Sequence, residues 1–181
     1  MDFLDLIAHP IRLRIIHALS GGRALTTREL CARMPDIPKA SAYRHVALLA
    51  DASVLEVESE QRVRGATERR FRLRRERAVI DARTAASLSP EQHRRGFAAA
   101  MASLIGEFNA YLEQPKSDPA ADAVGYRQHA IWLTPGERES LIGGMREAIV
   151  PHLANGPAPG RTLHLLSPIL FPIEPPAGKP D

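Results

Sequence analysis

The chain has 181 residues, 44% of them hydrophobic and 25% charged, which gives room for one large domain or two small ones and excludes a disordered polyelectrolyte. The formal charge is only +3, but residues 1–80 hold 15 Lys/Arg against 10 Asp/Glu while residues 81–181 hold 9 against 11, so a polyanionic partner is expected for the first half alone. One cysteine, Cys31, excludes an internal disulfide or a thiolate cluster within one chain, and the chain shows neither a signal-peptide build nor an apolar run of the ~18 residues that cross a bilayer; the expectation is a cytoplasmic protein with no membrane partner.

Phe3 to Ala8 is a short apolar-periodic segment. Pro10 suits the first turn of a following helix, where its missing N–H costs nothing, and Ile11, Ile15, Ile16 and Leu19 give that helix one apolar face. Ser20-Gly21-Gly22 ends it. Thr26-x-x-Glu29 is a capping box that opens the next helix, and Met34-Pro35 closes it, because the residue before proline avoids the helical region. Asp36-Ile37-Pro38 makes a turn into a third helix, Lys39 to Asp51, with Ala42, Val46 and Leu49 facing inward. Leu55 to Glu60 and Arg69 to Leu73 alternate as the strands of a hairpin with its tip near Arg62 to Thr67, where Gly65 can take a positive φ. Residues 62–77 hold eight arginines against Glu68 and Glu76.

Residues 74–88 read as a charged connector. Ser89-Pro90-Glu91 starts a helix that runs to about Glu113, with Phe97, Met101, Leu104, Ile105, Phe108, Tyr111 and Leu112 on one stripe. Lys116 to Asp122 is a loop and Tyr126 to Leu133 is extended. Thr134-Pro135-Gly136-Glu137 is a second capping box, opening a helix through Leu153 that Asn155-Gly156-Pro157 ends. Thr162 to Ile173 is apolar but broken by Pro168 and Pro172, which suggests an edge or irregular strand, and the tail from Glu174 is expected to be disordered.

In the first half, Ala8-His9-Pro10-Ile11-Arg12-Leu13-Arg14-Ile15-Ile16, Ser41-Ala42-Tyr43-Arg44-His45-Val46-x-x-Leu49 and Arg64-Gly65-Ala66-x-Glu68-Arg69-Arg70-Phe71 together resemble the ArsR-type winged helix-turn-helix transcriptional regulators, over about residues 3–75. The resemblance implies a DNA-binding, homodimeric repressor. It is to the longer members that do not sense metals through thiols. Metal-sensing members carry paired cysteines on the helix that here reads Glu29-Leu30-Cys31-Ala32-Arg33, and Arg33 stands in place of the second, so no metal or other cofactor is expected. A Ser or Thr cap usual for the recognition helix is replaced by Pro38-Lys39.

The expected fold is therefore mainly α with a small β component (α+β). A winged helix-turn-helix is expected over residues 1–80, a helical dimerisation and effector-binding domain with one or two strands over 81–175, and a disordered tail over 176–181. A major groove admits one α-helix whose N-terminal part meets base edges, so Lys39, Ser41, Tyr43 and Arg44 are the DNA-reading candidates. Arg44 leads, because its fork can bond both acceptors of guanine. His45 lies next to the inward face and is expected to pack. On the hairpin Arg62, Arg64, Arg69 and Arg70 would bind phosphate or enter a minor groove, with Arg62 and Arg64 favoured by their shared parity near the tip, while for Arg74, Arg75 and Arg77 a solvated surface coat is as good a reading as phosphate binding. Phe97, Met101, Leu104, Ile105, Phe108 and Leu112 are the dimerisation candidates. Tyr126, His129 and Trp132 are candidates for a small-molecule effector pocket. No phosphate loop, nucleophile elbow or His-Glu-x-x-His occurs, so no enzyme and no catalytic residue is expected. The alternative is a winged helix used for protein–protein contact, its arginines engaging an acidic partner.

Overall fold

A computed structural model of the chain describes residues 3–63, 65–78 and 82–174. The expected tail from 176 and the wing residue Arg64 lie outside them. Two helices, α1 (Phe3–Ile7) and α2 (Pro10–Leu19), open the chain. His9 caps α2, its Nδ1 accepting from Ile11 N at 3.2 Å, and Pro10 takes the first helical position. A three-residue strand, β1 (Ala24–Thr26), runs straight into α3 (Thr27–Arg33). Thr26 closes the expected capping box there: its hydroxyl accepts from Glu29 N at 3.2 Å and Glu29 Oε2 accepts from Thr26 N at 2.7 Å. After the Asp36-Ile37-Pro38 turn comes α4 (Lys39–Asp51).

The strands β2 (Leu55–Val63) and β3 (Ala66–Leu73) form the expected hairpin and run longer than the alternation suggests. Val63 pairs with Ala66, and Gly65 has φ +85°, the left-handed conformation open to glycine. The sheet order is β1-β3-β2, all antiparallel, with Leu25 opposite Phe71 and Leu55 opposite Leu73. Val57 pairs with Phe71 and Ser59 with Arg70, so Glu58 is the extra residue of a β-bulge. Helices and sheet close over Ile15, Leu19, Leu30, Met34, Ala42, Val46, Leu49, Val54, Leu55 and Phe71. Four helices with a three-stranded antiparallel sheet make this part a winged helix.

The short helix α5 (Ala82–Ala86) lies in what the sequence suggests is a plain connector, and α6 (Pro90–Leu112) and α7 (Pro135–Leu153) follow. Helix α6 packs on α2 through small residues: Ala99 and Ser103 are buried, and Gly96 and Gly106 share their stripe. The α+β architecture is as expected, but the strands expected in the second half do not form. Residues 126–133 and 162–173 pair with nothing in the sheet among the described residues. Pro168 and Pro172 remove ladder donors from the second stretch, and neither stretch docks on the sheet, whose strands all come from the first half. No helix among the described residues is long and apolar enough to cross a membrane.

Candidate nucleic-acid interface

Helix α4 has two faces of opposite character. Ala42, His45, Val46 and Leu49 are buried against the core, at the spacing of one helical stripe. Lys39, Ala40, Tyr43, Arg44 and Ala47 lie on the opposite side and are exposed, with Ser41 half-buried at the margin. The outward face thus offers a cation, a phenol and a guanidinium separated by alanines small enough to let the helix backbone approach a surface. Pro38 holds the N-cap position without a side-chain hydrogen bond, and its carbonyl accepts from Ala42 N at 3.1 Å.

Two buried clusters fix α4 in place. In the first, the His45 ring is 2% exposed and packs on His9, with centroids 4.4 Å apart; its Nδ1 lies 3.4 Å from Arg12 Nη1. Burial first, and then the neighbouring His9, Arg12 and Arg44, together lower the His45 pKa to about 4, so the ring is neutral near pH 7. In the second, Arg14 of α2 reaches across the turn before α4. Its Nη1 and Nη2 donate to Asp36 Oδ2 and Oδ1 at 2.5 and 3.0 Å, and its Nε donates to Glu107 Oε1 of α6 at 3.3 Å. The Arg14 side chain is 5% exposed. Its hydrogen bonds hold the Asp36 carboxyl below the usual range, while burial pushes Glu107 up against the pull of Arg14. Gly106 makes room: a Cβ there would sit 3.1–3.3 Å from the Arg14 side chain.

The wing carries its arginines in two conditions. Arg62 is exposed and has no ion-pair partner among the described residues. Arg69, Arg70, Arg72, Arg74 and Arg75 are engaged. Arg69 Nε donates to Glu60 Oε1 at 2.7 Å across the hairpin; Arg70 turns back to Glu29 at 3.4 Å and to the Ala24 carbonyl, tying the wing to α3. Arg72 and Arg74 share Glu56, and Arg75 Nη1 donates to the Leu153 carbonyl at 2.6 Å. To reach a phosphate, Arg69 and Arg70 would have to leave these partners. Arg28, in the first turn of α3, is an exposed cation that the sequence reading passed over; it sits 3.4 Å from Glu68. A basic residue in a helix's first turn, where acids are preferred, was the signal available for it.

On α6 the large apolar residues point away from the molecule's own core. Phe97, Ile105, Phe108 and Leu112 are exposed and Met101 and Leu104 half-buried, on the side opposite the Ala99/Ser103 stripe. Tyr126, His129 and Trp132 are all exposed, and Tyr126 meets Phe108 edge-on at 6.4 Å.

No curated protein matches the chain. The family model of a helix-turn-helix domain does match, over residues 7–58, the stretch from the end of α1 into β2 that frames α4. The first third of the molecule is thus a helix-turn-helix domain, carried in a winged-helix fold.

Proposed function

We propose that the protein is a sequence-specific, double-stranded-DNA-binding transcriptional regulator that works as a homodimer. The observation that carries this reading is the two-faced α4: a helix anchored by its buried side, presenting Lys39, Tyr43 and Arg44 outward within a helix-turn-helix. Arg44 reads a guanine edge; Lys39, Ser41 and Tyr43 bond phosphates or neighbouring bases. Arg62 and Arg64 of the wing grip the backbone, and Arg69 and Arg70 contribute once released from Glu60 and Glu29. The outward apolar stripe of α6 (Phe97, Met101, Leu104, Ile105, Phe108, Leu112) supports a second copy, which a helix-turn-helix needs in order to read paired half-sites about 34–36 Å apart. A repressor role follows from the ArsR-type resemblance. A small-molecule site at Tyr126, His129 and Trp132 would need the second copy to close it, since these side chains are open in one chain.

The test is a salt titration with duplex DNA. Log K should fall linearly with log[salt], with a slope near −0.9 for each phosphate neutralised. Arg44→Ala should narrow the gap between preferred and random duplexes by about 1–3 kcal/mol, whereas Arg62→Ala should weaken all duplexes alike and reduce the slope by about one. No duplex binding at low salt overturns the reading, leaving a protein–protein module. Equal loss on all duplexes from both substitutions removes the sequence-reading role of Arg44.

A further inference from the structure

The hairpin is rich in arginine, but most of that charge already has a carboxylate of the same chain beside it. Arg69 Nε donates to Glu60 Oε1 at 2.7 Å, directly across the β2–β3 ladder, where the two residues are register partners. Arg28, in the first turn of α3, lies 3.4 Å from Glu68 of β3. Arg70 is tied to Glu29 and to the Ala24 carbonyl, and Arg72 and Arg74 take one oxygen each of Glu56. Among the described arginines of the hairpin, Arg62 alone has no carboxylate within ion-pair distance.

These ties differ in strength. Arg70 is held at two points, and Arg72 and Arg74 hold one carboxylate between them. Arg28 and Arg69 each rest on a single carboxylate among the described residues, and their side chains are 73% and 58% exposed. An ion pair so open to water adds little to stability, because solvent screens it and two long side chains must be ordered to make it. It still matters to a second anion. A guanidinium bonds phosphate through the same fork that it offers a carboxylate, so Glu60 and Glu68 compete for donors that a nucleic-acid backbone would use. A duplex presents about one charge for every 1.7 Å of its axis and releases condensed counterions when these are met. It can therefore displace a lone carboxylate, at the cost of the pair it breaks.

We propose that Glu60 and Glu68 are built-in competitors for phosphate: they hold Arg69 and Arg28 until a duplex backbone takes these over, and so set how tightly the protein grips DNA whatever its sequence. This rests on the DNA-binding reading above and adds to it a phosphate contact from Arg28 and the carboxylates that restrain the grip. The pairs are placed for that role. Helix α3 packs on α4, which presents Lys39, Tyr43 and Arg44, and the Arg28–Glu68 pair joins α3 to the wing. No such restraint acts on the reading face: among the described residues neither Lys39 nor Arg44 has a carboxylate within ion-pair distance. The competition therefore falls on the sequence-independent contacts, which hold the protein on random DNA, and leaves base reading untouched.

The full chain is titrated by fluorescence anisotropy, at one salt concentration, with a random-sequence duplex and with a duplex that it selects from a pool. Glu60→Gln and Glu68→Gln should each tighten both duplexes by about 1.5- to 5-fold, the range that an exposed ion pair withholds. In a chain that already carries Arg69→Ala, Glu60→Gln should gain nothing, and Arg28→Ala should likewise abolish the gain from Glu68→Gln. Glu58→Gln removes the same charge from the same strand, where no arginine lies within ion-pair distance among the described residues, and should move the affinity less than either. Thermal melts of all variants should stay within a few degrees of the parent. A gain from Glu60→Gln that persists without Arg69, or that Glu58→Gln equals, is only the loss of a negative charge and overturns the competition. No gain from either glutamine does the same. In each of these cases the duplex is bound and the DNA-binding reading stands, whereas a chain that binds neither duplex at low salt overturns both.

Discussion

At the scale of single residues, two buried charges or near-charges hold the interface helix. His45 titrates at about 4 in the folded protein against 6.5 in an unfolded chain. Between those values the unfolded chain binds a proton that the folded chain refuses, so stability falls as pH drops from 6.5 to about 4, and below that the His45 contribution is constant. His9 and His17, both shifted down chiefly by burial, act in the same direction. Asp36 behaves as a lowered carboxylate: its stabilisation is full above 3.8 and lost only as pH falls further. Thermal melts at closely spaced pH should show Tm declining through the histidine window, and His45→Gln should flatten that decline; a Tm constant from pH 6.5 to 4 would contradict the neutral, buried ring. Arg14→Ala should cost about 3 kcal/mol in urea unfolding, because Glu107 is then left half-buried without its cation. A loss below about 0.5 kcal/mol, the range of an exposed pair, would show that Arg14 is not a buried tie. Neither cluster could be read in the sequence. The partners of Arg14 lie 22 and 93 residues away, and a buried arginine looks like any other until the fold brings its carboxylates to it.

At the scale of elements, what was legible was local. The capping boxes at Thr26 and Thr134 and the prolines at Pro10 and Pro90 mark helix starts because the bonds and ring constraints involved span only a few residues. β1 was not legible: three residues, Ala24–Thr26, carry no alternation, and they are a strand only because β3 offers an edge. The apolar stripe of α6 was visible, but which side of the helix the core takes was not, because the buried side is made of small residues with little hydrophobic signal. This inversion gives a paired prediction. At Gly96 an added Cβ meets only Leu4 Cδ1 at 3.9 Å, so Gly96→Ala should stabilise by about 1 kcal/mol, the helix-propensity difference. At Gly106 the same change crowds a guanidinium that Asp36 holds in place, and should cancel that gain and cost about 1 kcal/mol instead. Equal effects at the two positions would mean that Arg14 moves aside freely.

At the scale of the whole molecule, the halves differ in what they need. The winged helix has its own core, and its charges are largely met internally: Glu29, Glu56 and Glu60 engage wing arginines, which leaves α4 and Arg62 facing outward. In the second half α7 has no buried residue, so its helix content should depend on association. Far-UV circular dichroism of the full chain should lose the signal of about one 19-residue helix on dilution below the dimer's dissociation constant, while the winged helix persists. Arg14 has a longer consequence. It ties the turn before the DNA-facing helix and the helix bearing the outward apolar stripe through one guanidinium. Neither end can drift alone. In lineages where Asp36 or Glu107 is replaced, Arg14 should be replaced with it and Gly106 freed to become a larger residue, so these four positions should evolve as one inherited unit while Arg44, with no such tie, is left free to follow changes in the DNA it reads.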